Sequence, residues 1–172
     1  MINSIQKRIM QPIKTTIMRS FQFAICFLFL SLTANTLYSQ EFFEELTAKE
    51  WEGSGTLMGA EANFEMQWAW VLDQQFLRLE FQNSRGSSTF KGHGYYRIEG
   101  GTTVSGMWFD ARGFFFPLSG TLNENVLTIN WGTPETEQGR TVYTLISSEN
   151  IKVTDYILKD GEYLQFGEAQ YQ

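Results

Sequence analysis

The sequence predicts an all-β protein, an antiparallel up-and-down β-barrel of about ten strands, and three observations predict it. From Trp51 onward, short apolar runs alternate with turn residues at roughly the 8–12-residue spacing of sandwiches and barrels. Several runs alternate apolar and polar residues with period two, the mark of a strand with one buried face. The connections are too short for crossover helices, which excludes a parallel sheet. So many short strands must hide their edges. A sandwich is the main competitor, but a meander of tight hairpins favours closure into a barrel, which removes edges outright.

The elements follow in chain order. Residues 41–48 place Phe42, Phe43 and Leu46 within one helical turn, an apolar face able to lie across one end of a barrel. The predicted strands are 52–59, 62–72, 75–83, 88–98, 103–110, 113–122, 125–131, 140–147, 151–159 and 162–171. Phe64, Met66, Trp68 and Trp70 share one face of the second strand; Leu77, Leu79 and Phe81 do so in the third, Leu127, Ile129 and Trp131 in the seventh, and Leu164 and Phe166 in the last. Asp160-Gly161 is the strongest hairpin signal, because both residues tolerate positive φ, and Gly100-Gly101 is similar. Asp110 through Gly113 fits a turn opened by aspartate and closed by glycine, and 123–125 is another tight turn. Residues 83–87 and 132–139 read as longer polar loops. Gly53, Gly55, Gly92, Gly94 and Gly106 fall within strands, where glycine marks bends and close approaches.

The first 39 residues read as a secretory signal rather than as part of the fold. Lys7, Arg8, Lys14 and Arg19 precede the apolar stretch 21–32, and a small residue, Ser39, precedes Gln40. Cleavage is expected after Ser39 or one residue later, and translation is expected to start at Met18. The stretch is short for a membrane anchor, which needs roughly 20 apolar residues. Cys26 lies inside it rather than at its end, where a lipoprotein signal requires its cysteine. The expected division is therefore a signal peptide over 1–39 and a barrel domain over 40–172, exported to a periplasm or beyond.

Removing 1–39 leaves nine basic residues against nineteen acidic ones, a net charge of −10, and no cysteine. An acidic domain is poorly suited to phosphate backbones or anionic membranes, so neither nucleic acid nor stable membrane insertion is expected. A thiol-free exported domain suits a bacterial envelope better than a small disulfide-rich extracellular module. One histidine and no remaining cysteine leave no ordinary zinc site, and phosphate loops, dinucleotide glycine fingerprints and nucleophile elbows are absent. No cofactor or metal is expected.

The helical prelude followed by Trp51-Glu52-Gly53-Ser54-Gly55, at the head of a ten-run meander, resembles the calycin barrels: lipocalins, fatty-acid-binding proteins and nitrobindins. More narrowly, Trp-x-Gly-x-Gly with the Trp108-Phe109-Asp110 turn resembles a group of exported bacterial lipocalin-like proteins. Lipocalins open with Gly-x-Trp, the reverse order. The haem-binding histidine of nitrobindins lies near the C-terminus, whereas no histidine follows His93 here. The resemblance implies a hydrophobic cavity and leaves its contents open.

Three functions compete. The leading one is non-enzymatic binding of a small apolar or amphipathic molecule inside the barrel, with Met66, Trp68, Trp70, Trp108 and Phe166 as apolar contacts and Tyr143 or Asp155 as polar anchor. Asp155 is singled out because it interrupts the apolar alternation of Val153 and Ile157. The second is an interaction module with a packed barrel, since aromatic side chains fill cores as readily as they line cavities. It would act through an exterior patch at Phe114–Phe116, where alternation breaks. The third is a small isomerase or hydrolase using His93 and Asp110, or a carboxylate couple of Asp110 and Glu80. Against it, parity places His93 opposite the apolar face, Glu80 shares a face with Arg78, and Asp110 heads a turn.

Overall fold

In the computed structural model, residues 40–172 are described, so the expected signal segment and start site lie outside the described residues. A short helix, α1, covers 40–47. Ten strands follow: β1 (Glu50–Leu57), β2 (Ala60–Val71), β3 (Phe76–Arg85), β4 (Ser88–Glu99), β5 (Thr103–Asp110), β6 (Phe115–Asn123), β7 (Val126–Trp131), β8 (Gly139–Ser147), β9 (Asn150–Lys159) and β10 (Glu162–Tyr171). Each pairs antiparallel with its chain neighbours, and β10 pairs with β1 from Gly53↔Tyr171 to Leu57↔Gly167, closing the barrel. This is the predicted fold, and every predicted strand is present.

Inward residues are those the alternation selects. Phe64, Met66, Trp68, Leu77, Leu79, Leu127 and Ile129 are buried in one core, while Glu61, Asn63, Glu65 and Gln67 line the outer face of β2. Gly92 makes room for a large neighbour: a Cβ there would collide with the Trp108 indole, which lies flat across it from β5. Asp160 and Gly161 both adopt positive φ, 53° and 83°, as their hairpin requires.

The two ends of the barrel differ. At the end where β1 begins and β2 finishes, α1 turns Phe42, Phe43 and Leu46 into the core. Trp51 fixes it there by donating its indole N–H to the Leu46 carbonyl at 3.0 Å. At the opposite end lie the loops joining β1–β2, β3–β4, β5–β6, β7–β8 and β9–β10.

Three local expectations are corrected. Residues 83–85 belong to β3 rather than to a loop, so Asn83 points inward and is buried. A bulge in β10 sets both Phe166 and Gly167 opposite Asp155, between Gln165↔Tyr156 and Glu168↔Thr154. The extra residue shifts the parity: Phe166 faces inward together with Gly167, Ala169 and Tyr171, while Leu164 is exposed at the rim. Finally, Leu72 does not end the second strand but opens the β2–β3 turn with Asp73 and Gln74, all three at positive φ of 51°, 54° and 62°, where non-glycine residues are strained.

Candidate functional site

The barrel is not filled. Its interior holds a cavity of about 480 Å³ that extends from mid-barrel to the loop end, where Met58, Arg112 and Glu137 reach its wall. Packed cores contain few voids larger than a water molecule, whereas small-molecule sites span roughly 300–1,000 Å³. The solidly packed barrel expected under the second reading is therefore not what the fold builds.

Five of the seven candidate residues line this space: Met66, Trp108, Tyr143, Asp155 and Phe166. Trp68 lies just beneath it, its ring 5.2 Å from that of Tyr96 and 5.4 Å from that of Tyr143. Its buried indole N–H has no acceptor among the described residues. Trp70 is the exception. Although it shares parity with Met66 and Trp68, it lies past the barrel's closed end, 38% exposed and edge-on to Phe43 of α1 at 6.3 Å.

The lower part of the cavity carries its polar groups. Asp155 on β9 faces inward between Thr141 on β8 and Gly167 on β10. The Thr141 hydroxyl donates to its Oδ1 at 2.7 Å. Burial pushes the Asp155 carboxyl up to about 6, with the Thr141 hydrogen bond opposing that shift. Tyr96 and Tyr143 both line the cavity, and burial raises both phenols well above their ordinary value. Tyr171 is raised by burial likewise, with the Asp155 charge adding to it. All three tyrosines are thus neutral hydrogen-bonding groups around one acid.

The mouth is organised by Asp110, as its turn signature predicts. Its Oδ1 accepts the Arg112 amide at 2.8 Å, its carbonyl accepts the Gly113 amide at 2.9 Å, and Gly113 has φ 85°. Burial would raise the carboxyl. The Arg112 side chain and amide, the Arg112 charge and the Phe114 amide outweigh burial and hold it below the usual carboxylate range. The same guanidinium reaches Glu137 on the β7–β8 loop at 3.0 Å and lies 5.0 Å over the Phe114 ring. Arg112 thereby ties two mouth loops together.

The catalytic pairs do not form. His93 is exposed on the outer wall, directly opposite Phe109 in register, while Asp110 pairs with inward-facing Gly92. Glu80 lies outside in an ion pair with Arg78 at 2.9 Å. Opposite faces of one sheet give neither His93–Asp110 nor Glu80–Asp110 a common cavity.

The Phe114–Phe116 run divides as broken alternation requires. Phe116 is buried in the cavity wall and stacks on Phe114 at the rim, 6.1 Å apart. Phe115 is 63% exposed on the outside and joins Phe109 and Tyr95 in an exterior aromatic row across β4, β5 and β6.

Sequence reasoning missed Asn83, Thr141, Tyr171, Arg112 and Glu137 as parts of this site. Only the register, Thr141↔Asp155, brings the first donor to the acid. Compared with known proteins, the sequence matches no family model, and no curated protein matches it.

Proposed function

We propose that this protein is an exported, non-enzymatic carrier or receptor that holds a small apolar or amphipathic molecule inside a calycin-like barrel. The observation that carries this reading is the 480 Å³ interior cavity, walled by Met66, Phe81, Trp108 and Phe166 and furnished with a few polar groups. Such a balance of apolar wall and sparse polar anchors is what small-molecule sites share. The polar outer face of β2 fits water rather than lipid, since membrane barrels turn an apolar band outward. A signal peptide over 1–39 carries the chain to a periplasmic or extracellular space, and Gln40 or Glu41 is then the first residue of the product.

Native mass spectrometry of the purified protein after exposure to a lipid extract tests the binding. A bound small molecule that also changes tryptophan emission is expected; protein that stays ligand-free across extracts overturns the reading. N-terminal sequencing tests export, which a retained 21–32 segment would refute.

The exposure of Phe109 and Phe115, 46% and 63%, favours a second reading, an interaction module acting through the outer wall of β4–β6. Phe115→Ser separates the two, because it leaves cavity binding unchanged and abolishes only an interaction made by the exterior row.

A further inference from the structure

We propose that the cavity takes an apolar or aromatic molecule bearing a protonated amine, with the Asp155 carboxylate as its counter-charge. This inference rests on the ligand-binding reading and names the chemical class of the occupant.

The geometry begins with an acid that has too few partners. An ionised carboxylate offers about four acceptor sites. Among the described residues, Thr141 Oγ1 is the one side chain that donates to Asp155, at 2.7 Å. Among these residues no cation reaches it. Among the described residues, the basic ones lining the cavity are Arg85 and Arg112, both at the loop end, and Arg112 is already held by Asp110 and Glu137. A buried charge without a partner is costly, and an incoming ammonium supplies the missing donors and the opposite sign together.

The surroundings favour a cation over the alternatives. Tyr96, Tyr143 and Phe81 present aromatic rings to the cavity, and π faces attract ammonium groups. A fatty-acid-like anion reaching the same depth meets a second carboxylate, and like charges in one site repel. A neutral ligand leaves Asp155 desolvated and unpaired. The net charge of −10 over residues 40–172 also attracts cations from solution.

Binding of this kind depends on pH with a defined sign. The groups facing Asp155 are Thr141 and Tyr143 from β8, Tyr171 from its own neighbour β10, and Tyr96 from β4 across the interior. Burial keeps the tyrosines neutral, so Asp155 is the group that titrates. An amine therefore binds best above Asp155's value of about 6 and loses affinity as acid neutralises the carboxylate.

Three probes of one shape test the charge: naphthylmethylamine, naphthylmethanol and naphthoate, titrated calorimetrically into protein expressed from the full-length gene. At about pH 8 the amine is expected to bind about tenfold to a hundredfold tighter than the alcohol, the range of a hydrogen bond to a charged group. Naphthoate is expected to bind weakest. The amine's advantage shrinks at about pH 5, where Asp155 is protonated. Asp155→Asn abolishes that advantage while still binding the alcohol. The wild-type series decides by itself should the variant fail to fold. If the alcohol or naphthoate binds as tightly as the amine, the amine assignment falls and the binding reading stands. If none of the three binds, the amine assignment falls, and the lipid-extract measurement decides whether the binding reading falls with it.

Discussion

Asp155→Asn should make the folded protein more stable at neutral pH, and by an amount that disappears in acid. The substitution keeps the size of the side chain and an Oδ1 to accept the Thr141 hydrogen bond, so packing against β8 and β10 is preserved. What it removes is the cost of a charge enclosed by the barrel. Burial raises the carboxyl from 3.8 to about 6. Unfolded chains ionise near the lower value, so above both values the folded state carries the penalty in full. At about 1.36 kcal/mol per unit this amounts to a ceiling of about 3 kcal/mol. Asp155 keeps some surface facing the cavity, and water admitted there screens part of the cost, so the effect is about 1–3 kcal/mol. The sign follows from linkage. Below about pH 4 both states are protonated and the penalty is absent; it grows as pH rises and is complete above about pH 6. Urea unfolding of wild type and variant across this range measures it. A stability difference that is the same at both ends, or a variant less stable at high pH, would refute the assignment of a desolvated, uncompensated acid.

Three further outcomes are expected. Gly92→Ala drives a methyl into the Trp108 indole and should cost about 1–3 kcal/mol while shifting tryptophan emission, read by denaturation and fluorescence; an unchanged spectrum would show that the indole does not lie on Gly92. Gln74→Gly relieves one of three consecutive left-handed residues and should stabilise by about 1 kcal/mol, seen as a higher melting temperature. Arg112→Ala removes the main support of the Asp110 carboxylate. Because that group's value is depressed, its contribution is present above the ordinary carboxylate value and lost as pH falls through the depressed one, so the variant should show a shallower loss of stability in acid. Hydrogen exchange should also show the β5–β6 and β7–β8 loops less protected in that variant.

The sequence carried most of the fold because period-two alternation and turn chemistry are local signals. Asp160-Gly161 and the Asp110 turn fold as their residue types require. The site was legible in part, for reasons that lie in three dimensions. Trp68 and Trp70 share parity, yet only the barrel's height separates a residue under the cavity from one beyond its closed end. Phe166 lines the cavity as alternation expects, but Gly167, Ala169 and Tyr171 turn inward only through the bulge beside it, which no alternation rule announces. Asp155 was conspicuous as an acid on an apolar face, but its partner Thr141 follows from strand register alone.

The seam between β1 and β10 bears on how the chain folds. Every other pairing joins neighbours along the chain and forms from a local hairpin, whereas Gly53↔Tyr171 brings together the first and last strands. Local contacts form quickly and distant ones slowly, so this seam is the natural final step of folding. Until Gly167–Tyr171 dock, β1 and β10 each show an unpaired edge, and the half-closed sheet is the species most prone to associate with its own kind. Yield on refolding should therefore depend on protein concentration far more than the finished barrel's polar exterior suggests.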